Sequence, residues 1–119
     1  MFDGTEPIYI QIADQIRADI IAGRLNAGDQ VMSTTQYATT YRINPATAAK
    51  AFAELVAEGV LYKQRGVGMF VADGAPERLR AERRNAFFAD RLDPVLAEAR
   101  MLGIEPADLL AYITNGGRR

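Results

Sequence analysis

The sequence lacks histidine and cysteine entirely across its 119 residues. Without these residue types, nucleophilic sites of the Ser-His-Asp and Cys-His kinds are excluded, as are zinc sites built on His or Cys ligands. Disulfide bonds are excluded as well, which agrees with a reducing compartment. No general base with a perturbing neighbour is identifiable from the residue spacing. We therefore expect no enzymatic activity, no metal site and no cofactor.

Long hydrophobic runs are also missing. The apolar stretches are far too short to cross a bilayer, and residues 1–4 lack the basic and apolar regions of a signal peptide. These absences predict a cytoplasmic protein without a membrane partner. Hydrophobic residues nevertheless make up 49% of the chain and charged residues 24%. That composition predicts a folded domain of ordinary size, or a small domain with an extension.

The charges are segregated along the chain. The net charge of −1 argues against indiscriminate binding of nucleic acid. Residues 1–32 are acidic, with two basic and five acidic side chains. Residues 33–68 are basic, because Arg42, Lys50, Lys63 and Arg65 outnumber two acidic side chains. The basic segment coincides with the most informative motifs.

Two amphipathic helices are predicted in the first third of the chain. Isoleucine recurs at every fourth position from Ile8 to Ile20, which is typical of one buried helix face. Ser33 and Gln36 have the spacing of a capping box and predict the start of a short second helix. In that helix, Tyr37, Ala38 and Tyr41 are expected to point inward.

A third helix is predicted to begin at Asn44 and Pro45, a favoured N-cap residue and a favoured first residue. Its predicted buried stripe consists of Ala48, Ala51, Phe52, Leu55 and Val56. The opposite face holds alanines around a single cation, Lys50. Such a bare face permits close approach of a large partner, such as the wall of a DNA groove. Alanines are also simply good helix formers, and the sequence leaves both interpretations open.

The segment Gly66-Val67-Gly68 separates two short predicted strands, residues 60–63 and 69–71. A dinucleotide-binding fingerprint requires a glycine-rich turn that leads directly into a helix, plus a third glycine. Here the chain enters a second strand instead, so a hairpin whose glycines supply positive φ is favoured. Three helices followed by a hairpin predict a winged helix-turn-helix.

Residues 7–72 resemble the DNA-binding domain of the GntR family of bacterial transcription regulators. The resemblance is carried by the segments PIYIQIADQIRADIIAGRLNAGDQV and NPATAAKAFAELVAEGVLYKQRGVGMFV. The short tail and the segment NPATAAKAF are similar to the YtrA-like subfamily, which implies a small dimeric repressor. A palindromic operator in double-stranded DNA is the implied partner. The family admits a small-molecule effector, but the sequence identifies none and shows no pocket for one.

The expected fold is mainly α with a small β-hairpin. Residues 1–75 are predicted to form a winged helix-turn-helix DNA-binding domain, and residues 76–119 a helical dimerisation region. The chain departs from the family pattern at Met32, where a proline is usual, and at Thr35, where an arginine typically reaches DNA. It also lacks the common polar residue at Ala46, whereas Lys50 matches the subfamily's usual lysine.

The predicted DNA-binding residues lie at the start of the second helix, in the following turn, on the third helix and in the wing. They are Ser33, Thr34, Thr35, Arg42, Asn44, Thr47, Lys50, Lys63, Gln64, Arg65, Gly66 and Gly68. Several have a structural alternative. Asn44 and Thr47 could support the helix cap without contacting DNA, and Arg65 could simply be solvated. Such a set favours phosphate positioning over many base contacts.

The tail is predicted to form a helix over residues 77–102, kinked or restarted at Asp93-Pro94, and a second helix after Pro106. The predicted dimerisation residues are Phe87, Phe88, Leu92, Val95, Leu96, Leu109, Leu110 and Ile113. Adjacent phenylalanines cannot both face one small core, so one is expected to meet another chain. The alternative is that these helices pack back on residues 7–72. The arginines at positions 78, 80, 83 and 84 are expected to be solvated rather than bound to DNA flanks.

Two functions follow from these features. A dimeric, sequence-specific DNA-binding regulator, most simply a repressor, is the leading one. The alternative is a winged-helix protein–protein interaction module without sequence-specific DNA binding. The salt dependence of binding to duplex DNA distinguishes them.

Overall fold

The computed structural model describes residues 4–117. Residues 1–3, on which most of the signal-peptide prediction rests, and residues 118–119 lie outside the described part. The elements in chain order are α1 (Ile8–Ile21), β1 (Gln30–Val31), α2 (Thr34–Tyr41), α3 (Pro45–Ala57), β2 (Leu61–Gln64), β3 (Gly68–Val71), α4 (Ala75–Ala86), a π-helical segment (Phe87–Leu92), α5 (Asp93–Met101) and α6 (Pro106–Thr114). The chain forms two compact units, Met1–Ala81 and Glu82–Arg119. The functional boundary after residue 75 stays a prediction.

The first unit is built around one hydrophobic core. The predicted isoleucine face of α1 is confirmed, because Ile12, Ile16 and Ile20 are buried. They share the core with Phe52 and Leu55 of α3. The sheet contributes apolar residues through its inner face, so the helices and the hairpin form one folded body.

The predicted helix starts are confirmed by their hydrogen bonds. Ser33 Oγ accepts from the Gln36 backbone N–H at 3.1 Å, and Gln36 Oε1 accepts from the Ser33 backbone N–H at 3.1 Å, which completes the capping box. At α3, Asn44 Oδ1 accepts from the Ala46 backbone N–H at 2.7 Å, and Pro45 is in the first turn. Each cap satisfies an otherwise unpaired helical N–H.

The sheet has three antiparallel strands in the order β1-β3-β2. The predicted winged helix-turn-helix, mainly α with a small hairpin, is confirmed. The third strand, β1, was not predicted, since two residues are too few to show the alternation that marks a strand. β1 pairs Gln30 with Phe70 and Val31 with Met69.

Two residues expected in the buried stripes are exposed, Tyr41 and Val56. Tyr41 is the last residue of α2, and its ring lies 4.5 Å from the ring of Tyr37 rather than in the core. Val56 lies about 100° around the helix from Leu55 because α3 turns by that angle per residue. Position 56 is therefore at the edge of the stripe, and the inward prediction was wrong for both residues.

The second unit exposes most of its apolar side chains. The predicted restart at Asp93-Pro94 is confirmed, since α5 begins at Asp93 with Pro94 in its first turn. The Asp93 backbone N–H donates to Phe88 O, five residues back, as in a π-helix. Leu110 and Ile113, two of the predicted dimerisation residues, are exposed. Among residues 82–117 only Ala99 is buried, because two short helices offer little surface to one another.

Within residues 4–117, none of the helices combines the length and apolar character needed to cross a bilayer.

Candidate nucleic-acid interface

The turn between α2 and α3 consists of Arg42, Ile43 and Asn44. Arg42 ends α2 in the left-handed conformation, with φ 56° and ψ 49°. The backbone N–H groups of Arg42 and Ile43 both donate to Ala38 O, the latter at 3.0 Å. Ile43 is half-buried and packs against the core. These contacts fix the turn and leave the Arg42 side chain exposed beside the start of α3.

The start of α3 presents small side chains and one amide. Asn44 uses its Oδ1 atom in the helix cap, whereas its Nδ2 amide has no hydrogen-bond partner among residues 4–117. Ala46 and Ala49 are exposed, and Thr47 is half-buried. The amide of Asn44 can therefore donate to a phosphate or a base while its oxygen stays in the cap, and the alanines permit a groove wall to approach closely.

Lys50 is exposed, but it is not isolated. Its Nζ atom lies 4.0 Å from the centroid of the Tyr9 ring in α1, in the geometry of a cation–π interaction. Tyr9 is a contributor to this surface that the sequence did not identify. Nothing in the pattern of α1 pairs Tyr9 with a lysine 41 residues later, so only the folded chain shows the contact.

The first turn of α2 contributes backbone rather than charge. Ser33 has both its hydroxyl and its N–H engaged in the capping box. Thr34 is half-buried and Thr35 is exposed. First-turn N–H groups of a helix are a natural site for an anion such as a phosphate. At this site Thr35 supplies a hydroxyl where the family has an arginine.

The wing is closed by a tight turn in which the Val67 N–H donates to Gln64 O at 2.9 Å. Gly66 has φ +76° and Gly68 has φ +147°, which confirms that the glycines supply positive φ. A Cβ atom on Gly68 would lie 2.5 Å from Gln30 Nε2. That same Gln30 nitrogen donates to Val67 O at 3.1 Å, so β1 holds the tip of the wing.

Lys63 and Gln64 lie on opposite faces of the wing, because successive side chains in a strand alternate. Lys63 pairs with Met69 and Gln64 with Gly68 across the hairpin. Tyr62, on the same face as Gln64, stacks on Phe70 with ring centroids 5.6 Å apart. Arg65, between the two strands, is exposed in the turn itself. The wing thus offers cations at its tip and on one face.

The basic side chains differ in how they are paired. Arg17 binds Glu58 at 2.6 Å and Asp14 at 2.8 Å, and Arg24 binds Asp19 at 2.8 Å. Partial burial disfavours the charge of Arg17, but hydrogen bonds and attraction from Glu58 and Asp14 raise its pKa above the usual value. In contrast, the cations of the turn, of α3 and of the wing form no ion pair within residues 4–117; they are Arg42, Lys50, Lys63 and Arg65.

Arg80 has a structural role that the sequence did not indicate. Its Nε atom donates to Ile21 O at 3.1 Å and its Nη2 atom to Ile20 O at 3.4 Å. Arg80 therefore satisfies the Ile21 carbonyl at the end of α1, where unpaired acceptors are normal, and is a second donor to Ile20 O, which also accepts from the Gly23 N–H. The expectation that it is merely solvated was wrong, because the contact joins residues far apart in the sequence.

Three helices, a fixed turn and a wing tied to a third strand define a winged helix-turn-helix DNA-binding unit. Residues 8–71 match the family model described as bacterial regulatory proteins, gntR family. The match covers more than half of the chain, and the chain belongs to this family. The predicted GntR resemblance is thereby confirmed.

Known proteins resemble the chain well beyond this unit. The HTH-type transcriptional repressor YtrA of Bacillus subtilis is 31% identical over 107 residues, which cover 90% of this chain and 82% of the relative. A crystal structure of a transcriptional regulator from Oenococcus oeni has a TM-score of 0.78 at 29% identity and covers 97% of this chain and 94% of its own. The similarity to YtrA confirms the predicted subfamily resemblance.

The DNA-binding unit also resembles a structure that contains DNA. The AraR DNA-binding domain in complex with an operator has a TM-score of 0.57 at 27% identity and covers 60% of this chain and 93% of its own. Together with the family match, this similarity confirms the prediction of a DNA-binding transcription regulator rather than an enzyme.

Proposed function

We propose that the chain is a homodimeric, sequence-specific transcriptional repressor that binds a palindromic operator. The observation that carries the proposal is the distribution of unpaired cations. Arg42, Lys50, Lys63 and Arg65 all lie on the elements that contact DNA in a winged helix, and none is neutralised by a carboxylate within the described chain. The similarity to the repressor YtrA supports repression rather than activation.

In this proposal the cations position the protein on the phosphate backbone. Phosphate contacts by Lys and Arg release counterions and supply much of the affinity, without reading sequence. Base reading falls to the few polar groups at the start of α3, namely the Asn44 amide, Thr47 and Lys50. The exposed alanines around them allow α3 to enter the major groove deeply.

So few base-reading groups specify only a short half-site. Two copies related by a two-fold axis would read both halves of a palindrome and so reach the affinity of a specific site. The second unit supplies a candidate dimer surface, because Phe87, Phe88 and Val95 are exposed in the single chain. Apolar residues exposed together in this way are typical of protein interfaces.

The salt dependence of duplex binding tests the DNA interface. Lys63→Ala and Arg65→Ala should each weaken binding to all sequences and reduce the slope of log K against log salt by about 0.9 for every phosphate that is no longer neutralised. Arg100→Ala is the matched control, since Arg100 is an exposed arginine in α5 outside the predicted interface. Unchanged slopes in both wing variants would remove the wing from the interface. An intact protein without salt-dependent duplex binding would favour the protein-interaction module.

Selection of bound fragments from random duplex DNA tests the operator. We expect two inverted half-sites whose centres lie about 34–36 Å apart, or a multiple of that distance, as for other two-fold symmetric helix-turn-helix proteins. A single asymmetric site, recovered repeatedly, would contradict the palindrome and with it the dimeric mode of reading.

A further inference from the structure

The exposed face of α3 differs from that of an ordinary solvated helix. Along this helix, which is described over its whole length, Lys50 is the one charged side chain among the exposed residues, which are Pro45, Ala46, Ala49, Lys50, Ala53, Val56 and Ala57. The same chain builds α4 differently, since the exposed residues of α4 include Glu77, Arg78, Glu82, Arg83 and Arg84. Glu, Lys and Arg form helices nearly as well as Ala does, so helix propensity alone does not account for the difference.

Ala46 and Ala49 lie in the part of α3 that is placed to meet base edges. In helix-turn-helix proteins, the N-terminal residues of the second helix of the motif contact the bases in the major groove. α3 begins at Pro45, so both alanines fall within its first five residues, and both are exposed. Helical residues three positions apart share one face, with their Cβ atoms about 5–6 Å from each other. The two methyl groups therefore face the groove side by side.

The polar side chains next to these alanines leave the methyl groups uncovered. Lys50 is the long side chain beside them, and its Nζ atom lies over the Tyr9 ring in α1, 4.0 Å from the ring centroid. Asn44 is held at the start of the helix, because its Oδ1 atom accepts from the Ala46 backbone N–H. At position 46 the family commonly has a polar residue, so a methyl group in this chain takes the place of a polar base contact. Both methyl groups are free to touch base edges directly.

The chemistry of the groove favours thymine opposite a methyl group. Thymine is the standard DNA base that presents a methyl group in the major groove, whereas the edges of adenine, guanine and cytosine present nitrogen and oxygen atoms. A methyl group pressed against such a donor or acceptor removes its water without replacing the hydrogen bond, which is unfavourable. Contact between two methyl groups removes apolar surface from water on both sides, which is favourable.

We propose that Ala46 and Ala49 recognise the C5-methyl groups of two thymines in each operator half-site. The inference rests on the proposed function, since it requires sequence-specific binding in the major groove. It makes the two alanines specificity-determining residues, in addition to the polar groups of Asn44, Thr47 and Lys50. Methyl groups about 5–6 Å apart, set against base steps of about 3.4 Å, place the two thymines within two steps of each other.

Replacement of thymine by uracil tests the DNA side of this contact. Selection from random duplex DNA first identifies the half-site of the full chain. Each thymine of one half-site is then replaced in turn by uracil, which keeps every hydrogen-bonding group of thymine and lacks only the C5-methyl group. We expect two positions at which uracil lowers the affinity about three- to fivefold, the effect of burying one methyl group less. Uracil in place of thymines outside the half-sites is the control and should leave the affinity unchanged.

Glycine substitutions test the protein side. Ala46→Gly and Ala49→Gly each remove one methyl group, and the readout is the ratio of affinities for thymine and uracil at each position. A general loss of affinity or of helix stability affects both DNA duplexes equally and cancels in this ratio. Each variant should lose the preference for thymine at one of the two positions and keep it at the other. Ala57→Gly, an exposed alanine at the far end of α3, is the matched control and should keep both preferences.

The outcomes separate this inference from the proposed function. A preferred half-site in which uracil binds as well as thymine at every position would overturn the inference and leave sequence-specific binding intact. The same holds for a half-site without thymine, and for thymine preferences that persist in both Ala46→Gly and Ala49→Gly. A selection that recovers no preferred sequence would refute the proposed function and the inference together.

Discussion

At the scale of single residues, Lys50 connects the folded core to the proposed DNA surface. Its ammonium group rests on the Tyr9 ring 4.0 Å away and has no carboxylate partner in residues 4–117. A cation–π contact at an exposed site contributes only about 0.5–1 kcal/mol. The ring therefore orders the lysine without binding it strongly enough to prevent a move to a phosphate or a base.

Substitution of Lys50 should affect DNA binding far more than folding. Lys50→Ala should lower operator affinity while the free energy of unfolding falls by no more than about 1 kcal/mol. Phe52→Ala, which truncates a fully buried ring two residues away, should cost roughly 3–5 kcal/mol. Urea denaturation and operator titration measure the two effects separately. Equal loss of stability in both variants would show that the two faces of α3 had been assigned wrongly.

Tyr9→Leu is the control for this experiment. It removes the ring beneath the ammonium group but keeps the lysine and an apolar side chain in α1. If Lys50 contacts DNA directly, Tyr9→Leu should keep most of the affinity that Lys50→Ala loses. Equal reductions in affinity would indicate that the pair acts only through the packing of α1 on α3.

At the scale of elements, the wing depends on a strand of only two residues. β1 places Gln30 so that its amide donates to Val67 O, and the absence of a side chain at Gly68 leaves room for that amide. The wing is therefore held in place by a contact between β1 and the turn, in addition to the pairing of β2 with β3.

Gly68→Ala should damage the wing in two ways. The new Cβ atom would lie 2.5 Å from Gln30 Nε2, so it would push that amide away. In addition, a φ of +147° is unfavourable for alanine. Such backbone strain costs about 1–3 kcal/mol, so the free energy of unfolding should fall by this amount, and DNA affinity should fall with it. Thermal denaturation and DNA titration give the readouts. A variant as stable as wild type would contradict this description of the wing.

A double-mutant cycle with Gln30→Ala separates the two causes. The displaced atom is the far end of a flexible side chain, so removing it should relieve the collision but not the strain. The cost of Gly68→Ala should therefore be smaller, but not zero, in the Gln30→Ala background. An unchanged cost would assign the whole effect to φ.

The sequence could predict the helix caps, which join neighbouring residues, but not the contacts between residues far apart in the chain. Ser33 with Gln36, and Asn44 with Pro45, are signals between neighbouring residues, and the helix starts they predicted are confirmed. β1, the Tyr9–Lys50 contact and the bonds from Arg80 to α1 depend on residues far apart in sequence. No local pattern specifies them. The DNA contacts of the individual site residues stay a prediction, because a pattern of charge indicates a surface but not its bound geometry.

At the scale of the whole molecule, the second unit has too little core of its own. Among residues 82–117 only Ala99 is buried, while Met101, Leu102, Leu110 and Ile113 are mostly exposed. Exposed apolar surface of this kind is a liability in water unless another surface covers it. A second copy of the chain, related by a two-fold axis, would cover it and would also pair two DNA-binding units.

Val95→Glu should therefore convert the proposed dimer to a monomer. Val95 is 56% exposed in α5, and in a two-fold symmetric interface each substitution acts twice. A dimer can bury at most about half of each valine, so the lost apolar burial is up to about half of the roughly 1.5–3 kcal/mol for a fully buried side chain. A carboxylate left in an apolar contact adds a larger cost, and together they should be enough to separate the copies. Val67→Glu is the matched control, because Val67 is also 56% exposed but lies in the wing. Sedimentation equilibrium at micromolar concentration should give a dimer for wild type and Val67→Glu, and a monomer for Val95→Glu. A dimeric Val95→Glu protein would place the interface elsewhere, and a monomeric wild type that still bound a palindrome tightly would refute the dimer altogether.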